Sequence, residues 1–228
     1  MKPSVDILGL PPEGAAETFG PALERVEQYG QLLATVGVER GLIGPREVDR
    51  LWDRHLLNSA VLAPFLPEAG RVVDLGSGAG LPGIIVALMR PDLDVVLLEP
   101  LLRRATFLAE TVDQLGLSNS SVVRARAEDW KTQEPATAAA VVARAVAPLE
   151  RLAGWAVPLI APGGVLLALK GETADAELAA AGPALIRLGI SEQALHKVSA
   201  GTSVTGVVRL QRGRATVSTA KQSKRRTG

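Results

Sequence analysis

The chain has 228 residues, of which 47% are hydrophobic, so it can bury one full core and we expect one main domain. It contains no cysteine, which excludes disulfide bonds, thiolate metal sites and every mechanism that needs a cysteine nucleophile, and we predict no metal site. Its formal net charge is only +1, no apolar run approaches the roughly 18 residues of a membrane span, and no signal-peptide pattern follows Met1, so we expect a soluble, cytoplasmic protein.

Two segments near the N-terminus, residues 15–35 and 46–63, have helical periodicity and predict a helical cap over residues 1–66. From residue 71 onward, short β-branched runs alternate with longer helical runs, as in βαβ units. The predicted strands are 72–75, 95–99, 122–126, 140–143, 165–170, 194–198 and 204–210, and the predicted helices are 81–89, 103–115, 149–160 and 174–188. The fold class is therefore α/β, with a mostly parallel sheet covered on both faces, an antiparallel C-terminal edge and one domain over residues 67–214.

The stretch from Asp74 to Gly83, Asp-Leu-Gly-Ser-Gly-Ala-Gly-Leu-Pro-Gly, joins the first predicted strand to the first helix of this alternation. Gly76, Gly78 and Gly80 predict unusual backbone dihedrals and a close approach of a ligand to the backbone. Pro82 suits an early helical position, where an N–H group needs no partner. Such a loop predicts a nucleotide-like ligand at the carboxyl edge of the sheet, at the first switch point of the strand order.

Two kinds of ligand compete for this loop. A dinucleotide fingerprint can be drawn from Gly78 to Gly83, but its first glycine then lies four residues after Asp74, later than the fingerprint requires. The alternative, an acid at the strand end followed by Gly76, Gly78 and Gly80, resembles motif I of class I S-adenosylmethionine-dependent methyltransferases, which have a Rossmann-like sheet. A pyrophosphate disfavours a nearby carboxylate, whereas a sulfonium ligand with an amino-acid end tolerates one. Asp74 therefore favours S-adenosylmethionine over NAD.

Two further acidic positions fit a nucleoside ligand. Glu99 ends the second predicted strand, 25 residues after Asp74, where a carboxylate can accept both ribose hydroxyls. NAD enzymes place an acid there too, so Glu99 indicates a nucleoside without choosing between the cofactors. After the third strand, Ala127 and Glu128 can address the adenine ring and its amino group, which is typical of methyltransferases, although acidic loops after strands are often only solvated.

The methyl acceptor is limited by what the chain lacks. Methylation of pyrimidine C5 needs a cysteine nucleophile, and the chain has none. Methylation of the adenine amino group normally uses an Asn/Asp-Pro-Pro-aromatic loop after the fourth strand, but residues 143–148 read Ala-Arg-Ala-Val-Ala-Pro. A guanine ring nitrogen such as N7 has a free lone pair and loses no proton, so catalysis can depend on positioning and electrostatics. Hydroxyl and small-molecule acceptors, which need a general base, stay open.

Several cations lie where an anionic partner could bind. Arg144 follows the fourth strand and can bind a carboxylate or phosphate bidentately, with a structural ion pair as the alternative. Lys170 ends the fifth strand and could face RNA. Arg103 and Arg104 open a helix, where cations are unfavourable. Their position suggests an anionic partner, although simple solvent exposure explains them nearly as well.

The last twenty residues contain seven cations and no acid. This composition predicts a basic, disordered tail over residues 215–228, which either solubilises the chain or contacts phosphates.

Four segments together carry a resemblance to one family. They are Asp74-Leu-Gly-Ser-Gly-Ala-Gly-Leu-Pro-Gly83, Arg54-His55-Leu-Leu-Asn-Ser59, Ala143-Arg-Ala-Val-Ala147 and Leu169-Lys-Gly171. In this order they resemble the RsmG (GidB) family of bacterial methyltransferases, over roughly residues 15–170. The resemblance implies methylation of guanine N7 in the decoding-region (530) loop of 16S rRNA, with S-adenosylmethionine as the cofactor. The implied partner is 16S rRNA, the small ribosomal subunit or an assembly intermediate, and we expect a monomer.

The resemblance also implies roles for individual residues. Gly76 and Leu81 would contact the cofactor from the loop, Ala127 and Glu128 would flank its adenine, and Arg144 would lie on the binding site. Arg54 and His55 match the family's Arg-His pair and would shape the pocket over the target guanine, with no proton transfer assigned to His55. A lone histidine on a helix is more often a packed residue, and His196 is expected to be only structural.

The chain departs from the family in its N-terminal part. Many relatives carry Trp-Asn-Lys and Asn-Leu-Thr stretches, where this chain has Tyr29-Gly-Gln-Leu-Leu33 and Gly41-Leu-Ile-Gly-Pro45, and the family's Asp-Ser is Asn58-Ser59 here. Because of these changes, the family's N-terminal contacts to RNA are not carried over to this chain. The predicted cofactor-binding residues are unaffected. Three other functions stay open: methylation of a metabolite, ligand binding without chemistry, and a NAD-dependent enzyme.

Overall fold

A seven-stranded sheet forms the centre of the part that this computed structural model describes, residues 7–131 and 136–214. The strands are β1 Arg71–Leu75, β2 Asp94–Leu98, β3 Ser120–Val123, β4 Ala138–Arg144, β5 Ile160–Lys170, β6 Ile190–Ala200 and β7 Ser203–Arg212. Their order across the sheet is β3-β2-β1-β4-β5-β7-β6. β1 to β5 run parallel, and β7 pairs antiparallel with both β5 and β6. The predicted mostly parallel sheet with an antiparallel C-terminal edge is confirmed.

Helices cover both faces of this sheet. They are α1 Ala15–Phe19, α2 Leu23–Leu32, α3 Asn58–Ala60, α4 Gly83–Met89, α5 Leu102–Gln114, α6 Ala127–Trp130, α7 Leu149–Ala156 and α8 Ala174–Arg187. Tighter 3-10 turns lie at Gly20–Ala22, Pro45–Arg50, Ala63–Phe65 and Val157–Leu159, and wider π-helical turns at Leu33–Gly37 and Leu51–Leu57. Among the helices of the described residues, none combines the length and apolar character that a membrane crossing requires.

The N-terminal helices share a hydrophobic core with one face of the sheet. Tyr29, Leu33 and Leu56 are fully buried and belong to the same apolar cluster as Ile84 and Leu88 of α4. A second cluster on the other face joins β1, β4 and β5 to α7 and α8. The N-terminal segment is therefore packed directly against the helix that follows the glycine loop, and side chains from it reach the carboxyl edge of the sheet.

The helical patterning predicted over residues 46–63 is confirmed, although the segment is not one regular α-helix. Pro45 opens a 3-10 turn, since its fixed φ and missing N–H suit the start of a helix, and a π-helical turn follows over Leu51–Leu57. Helix α4 begins at Gly83, two residues later than predicted, because Pro82 occupies the capping position before it. The acidic segment at residues 127–130, which the sequence suggested as a loop, forms the short helix α6.

The basic cluster near the C-terminus divides into two parts. Arg209 and Arg212 are strand residues of β7, and the Arg212 guanidinium donates hydrogen bonds to the carbonyl oxygens of Val157 and Ile160. Arg212 thereby ties β7 to the turn after α7, Arg209 contacts Glu192 of β6, and neither arginine belongs to a tail. The predicted disordered segment, residues 215–228, lies outside the described residues.

Candidate active site

The glycine loop follows β1 and has the backbone conformation that its sequence predicts. Gly76, Gly78 and Gly80 have φ angles of 73°, 61° and 101°, which L side chains rarely adopt. At Gly80 a Cβ atom would also lie 2.9 Å from the Tyr29 hydroxyl oxygen, so the chain is closely packed there. The predicted unusual dihedral angles are confirmed for all three glycines, and at Gly80 the neighbouring side chains also leave no room for a Cβ atom.

Asp74 fastens the beginning of the loop to the beginning of α4. Its side chain is buried, and Oδ2 accepts a hydrogen bond from the Gly83 backbone N–H at 3.0 Å. A Cβ atom on Gly83 would collide with this carboxylate, so only glycine permits the approach. Oδ1 is buried without a hydrogen-bond partner among the described residues, and burial raises the pKa of Asp74 to about 7.

Tyr29 reaches the same loop from the N-terminal helices. It is fully buried in α2, and its hydroxyl donates a hydrogen bond to the Ala79 carbonyl oxygen at 2.8 Å. Burial raises the pKa of this phenol well above its ordinary value, so Tyr29 stays a neutral donor. In the sequence Tyr29 stands out only as a departure from the family pattern, and no motif indicates its contact with the loop.

Glu99 joins the ends of β1 and β2. It directly follows β2, is buried, and accepts hydrogen bonds from the backbone N–H groups of Gly78 and Leu101, both at 2.9 Å. The Arg104 guanidinium lies 4.0 Å from the same carboxylate. Glu99 is therefore held at the carboxyl edge of the sheet beside the glycine loop, where a ribose-binding acid is expected.

A first cavity of about 190 Å³ opens beside the glycine loop at this edge. The sequence-predicted residues Gly76, Ala127 and Glu128 meet in its wall. The complete lining is Leu75, Gly76, Leu98, Pro100, Ala125, Arg126, Ala127, Glu128, Val146, Arg151 and Trp155. Apolar walls with a few polar groups at the rim are typical of a site for a flat heterocycle.

Trp155 and Arg151 also line this cavity, although no motif predicted them. Both belong to α7, and the Arg151 guanidinium carbon lies 4.7 Å from the centre of the Trp155 ring, in a cation–π contact. They are part of an ordinary amphipathic helix pattern, so the sequence carried no signal that could distinguish them from residues that only pack. Only the strand order brings α7 next to the loop after β3.

A second, larger cavity of about 660 Å³ lies on the other side of the end of β4. Four predicted functional residues, Arg54, His55, Arg144 and Lys170, meet in its wall. The complete lining is Glu47, Arg54, His55, Asn58, Arg144, Ala145, Leu169, Lys170, Gly171, Glu172, Glu177, Ser203, Val204 and Thr205. Arg144, which the family resemblance assigned to the cofactor site, thus lines this second cavity.

The backbone between the two cavities turns sharply at Ala145. Ala145 has a φ of 54°. Among the described residues, it is the only one other than glycine with a positive φ. A non-glycine residue in this region carries a conformational cost and often marks a functional site. Ala145 lines the second cavity while its neighbour Val146 lines the first and packs where a Cβ on Gly76 would lie. The two cavities therefore share this turn as a wall.

Arg144 makes two hydrogen bonds to the N-terminal segment. One guanidinium nitrogen donates to the Arg54 carbonyl oxygen at 3.0 Å, and the other lies 2.8 Å from Nδ1 of His55. On the opposite edge of the ring, Nε2 of His55 lies 2.9 Å from a carboxylate oxygen of Glu47. Burial and the nearby Arg144 charge lower the pKa of His55, so the imidazole is neutral near pH 7.

Lys170 is half-buried at the end of β5 and already has partners. Its ammonium donates to the Ala147 carbonyl oxygen at 2.8 Å and to a Glu177 carboxylate oxygen at 2.7 Å. The Glu177 carboxylate also accepts from the Leu149 N–H at the start of α7, and the hydrogen bond from Lys170 lowers its pKa. Lys170 therefore holds the β4–α7 turn in place, and its predicted contact with RNA has to come from its remaining N–H group.

The other predicted residues lie outside these two cavities. Leu81 is buried in the apolar core, and Gly78 and Gly80 shape the loop without appearing in either lining. Arg103 is exposed on the first turn of α5, next to the exposed side chains of Leu101 and Leu102. His196 lies on β6 and contacts the Phe65 ring at 4.8 Å between centroids.

Comparison with known proteins identifies close relatives. The family model described as GidB, rRNA small subunit methyltransferase G, matches residues 22–205. Proteins named ribosomal RNA small subunit methyltransferase G are 53% identical in Streptomyces avermitilis, over 89% of this chain and 85% of that protein, and 57% identical in Thermobifida fusca, over 74% and 70%. The protein of that name from Mycolicibacterium vanbaalenii is 55% identical over 80% of each chain.

Solved structures support the fold. The crystal structure of M. jannaschii TYW2 in complex with AdoMet matches with a TM-score of 0.58 at 17% identity. The match covers 72% of this chain and 78% of the TYW2 chain. The S-adenosylmethionine-dependent methyltransferase SibL has a TM-score of 0.58 at 19% identity, over 89% and 70%. At these identities the likeness concerns the fold, which is that of class I methyltransferases.

Proposed function

Because the chain belongs to the rRNA small subunit methyltransferase G family and is an S-adenosylmethionine-dependent methyltransferase, we propose that its acceptor is N7 of a guanine in the decoding-region loop of 16S rRNA. The observation that carries this proposal is the pair of cavities that share the turn at Ala145. One is small and largely apolar, and the other is large and lined by charged residues. A methyl donor in the first and a nucleotide in the second would meet at one wall.

The first cavity fits the adenosine part of S-adenosylmethionine. Gly76 leaves the space beside Val146 that a side chain would fill, and Trp155 adds an aromatic wall. We propose that Glu128 addresses the adenine amino group and that Glu99 accepts the ribose hydroxyls. Asp74, Gly78, Gly80 and Leu81 shape the loop around the cofactor. When bound, S-adenosylmethionine supplies a methyl group activated by a sulfonium.

The second cavity suits an acceptor that loses no proton. Both ring nitrogens of His55 are engaged, by Arg144 and by Glu47, so neither is free to accept a proton from a substrate. The Lys170 ammonium is paired with Glu177. Guanine N7 presents a lone pair and needs no general base, so the residues have to orient the base and stabilise charge around it. Arg144 and Arg54 are the cations placed to contact the O6 edge or a phosphate.

We propose that Arg103, Arg104 and the remaining donor of Lys170 bind rRNA phosphates around this edge of the sheet. Lys170 lines the second cavity, Arg104 lies beside Glu99, and Arg103 is exposed on the first turn of α5. Several such phosphate contacts would make RNA binding depend on salt. We further propose that the protein acts as a cytoplasmic monomer on 16S rRNA, either within the small subunit or within an assembly intermediate. Methylation of a metabolite would need no such rim of cations.

The direct test measures methyl transfer to ribosomal RNA. Small-subunit particles and naked 16S rRNA, both from a strain that lacks this enzyme, are incubated with the protein and S-adenosylmethionine labelled in its methyl group. N7-methylguanosine in digested 16S rRNA is the expected product, and the faster substrate identifies the assembly state that is used. The absence of this nucleoside from both substrates would overturn the proposal.

Two controls connect the activity to the site. Gly76→Asp places a charged side chain against Val146 in the first cavity, and it is expected to abolish cofactor binding while the fold is retained. Unchanged cofactor affinity would contradict the placement of the loop. Raising the salt concentration should weaken RNA methylation steeply, since several phosphate contacts are lost together, whereas turnover of a neutral metabolite would change little.

A further inference from the structure

We infer that Glu47 and His55 are positioning residues, which hold the Arg144 guanidinium in the wall of the second cavity through the neutral form of the His55 ring. The inference rests on the proposed function only in assigning that cavity to the methyl acceptor. The three residues lie in line: Glu47 to Nε2, the imidazole, and Nδ1 to Arg144. No motif in the sequence pointed to Glu47.

The geometry determines which ring nitrogen carries the proton. A guanidinium has only N–H donors, so at 2.8 Å from Arg144 the Nδ1 atom of His55 must accept. An ionised carboxylate only accepts, so at 2.9 Å from Glu47 the Nε2 atom must donate. One form of the ring satisfies both contacts, the neutral imidazole with its proton on Nε2. In the imidazolium form both nitrogens are donors, and the bond to Arg144 is lost.

The ring is largely enclosed, since the His55 side chain is only 12% exposed. The buried Ser59 hydroxyl donates to the His55 backbone carbonyl oxygen at 2.7 Å and so fixes the helical turn that carries the ring. Arg144 is thereby anchored twice to one helical segment, through the Arg54 carbonyl and the His55 ring. The other N–H groups of this guanidinium have no hydrogen-bond partner among the described residues, so they are available to a substrate.

The charges around the ring determine the effect of pH. His55 faces Arg144 and Arg54, which disfavour its protonation, and Glu47, which favours it. Arg144 faces Tyr29 and Asp74 as well as Glu47 and Arg54, and Glu47 also lies near Arg50. Protonation of His55 removes one anchor of Arg144 and adds a second positive charge beside it. Activity should therefore decline as the pH falls through the pKa of His55.

The first experiment observes the ring directly in the full chain. The chain has two histidines, so nitrogen-detected NMR of the imidazoles gives two sets of signals, and a His196→Gln variant assigns them. We expect His55 at pH 7.5 to be neutral with its proton on Nε2. A proton on Nδ1, or an imidazolium at this pH, would overturn the inference, whatever the methyl acceptor proves to be.

The second experiment compares variants in the rRNA methylation assay. His55→Leu removes the acceptor for Arg144 and should lower kcat/KM by about tenfold or more, as expected when a charged hydrogen bond is lost. His55→Asn offers an oxygen near the position of Nδ1 and should recover part of this loss. Because asparagine does not titrate in this range, the acidic decline of activity should disappear with it. His196→Gln is the matched control outside the site.

Glu47→Gln tests the contact between Glu47 and Nε2 of His55. Its amide oxygen can still accept from Nε2 of His55, but the charge that favours the imidazolium is gone. The acidic decline of kcat/KM should therefore move to lower pH than in the wild type. An unshifted pH profile, or equal activity of His55→Leu and His55→Asn, would refute the positioning role. If the wild type itself transfers no methyl group to 16S rRNA, the proposed function fails. The NMR measurement still tests whether His55 is neutral, with its proton on Nε2, between Glu47 and Arg144.

Discussion

The Tyr29 hydroxyl donates a hydrogen bond to the Ala79 carbonyl oxygen at 2.8 Å, across fifty positions of sequence. This contact connects α2 of the N-terminal segment to the middle of the glycine loop. The same hydroxyl lies 2.9 Å from the position that a Cβ on Gly80 would take, so the loop and the tyrosine are packed against each other. The N-terminal helices therefore support the conformation of the loop that is proposed to bind the cofactor.

Tyr29→Phe should weaken both the fold and the cofactor site. The change removes a hydrogen bond to the half-buried Ala79, which costs about 0.5–1.5 kcal/mol of unfolding free energy. The loop also becomes less well fixed, so the dissociation constant of S-adenosylhomocysteine should rise. Urea denaturation and calorimetric titration measure the two effects.

A matched control for this variant is Thr111→Val in α5. The Thr111 hydroxyl is also buried and donates to the Phe107 carbonyl oxygen at 2.8 Å, but it has no contact with the loop. This control should lose stability and keep its affinity for the cofactor product. Equal affinity of Tyr29→Phe and the wild type would contradict a supporting role for Tyr29.

Gly80→Ala should be more destabilising than Gly116→Ala, although both glycines have a positive φ. At Gly80 the new methyl group meets Ile84, Tyr29 and Leu108, whereas at Gly116 nothing lies within 4 Å. The backbone cost is also larger at the φ of 101° of Gly80 than at the left-handed φ of 60° of Gly116, and the lack of space adds about 1–3 kcal/mol for overpacking. Denaturant unfolding of the two variants and the wild type measures it. Equal losses would show that the loop has room at Gly80.

Trp155→Phe tests the wall of the first cavity that the sequence analysis missed. Tryptophan fluorescence should change when S-adenosylhomocysteine binds next to Trp155, and this change should largely disappear in the variant. Trp52→Phe is the control, because Trp52 packs against Phe19 in the N-terminal core and does not line the cavity. If the signal persists in Trp155→Phe and disappears in Trp52→Phe, the ligand does not occupy this cavity.

The sequence predicted those parts of the site whose structure is determined by residues close together in the chain. The dihedral angles of Gly76, Gly78 and Gly80 follow from the residue type, and the position of Glu99 follows from the end of an apolar strand. The mostly parallel character of the sheet followed from the alternation of short β-branched runs with longer helical runs. Each of these depends on neighbours within a few residues.

The contacts that the sequence did not predict join distant segments. Glu47 meets Arg144 through His55 because an irregular helical turn brings residues 51–57 against the end of β4, and no periodicity indicates such a turn. The placement of Trp155 depends on how α7 packs beside the loop after β3. Packing between elements decided both contacts. The pairing of Lys170 with Glu177 spans only seven residues, but it depends on the turn between β5 and α8.

Asp74 should make stability depend on pH in a direction opposite to that of most carboxylates. Burial raises its pKa from 3.8 to about 7, so the folded protein holds a proton that the unfolded chain releases. This contribution is fully present below pH 4 and is lost as the pH rises through about 7. A shift of roughly three units corresponds to about 4 kcal/mol as an upper bound.

The measurement compares wild type with Asp74→Asn in urea at several pH values between 4 and 8. Asparagine can still accept from the Gly83 N–H, and it does not titrate. Other titrating groups, including His55 with its lowered pKa, are common to both proteins and cancel in the difference. The unfolding free energy of the wild type, relative to the variant, should fall as the pH rises across this range. A difference that stays constant with pH would show that Asp74 is ionised throughout and that another group compensates for its burial.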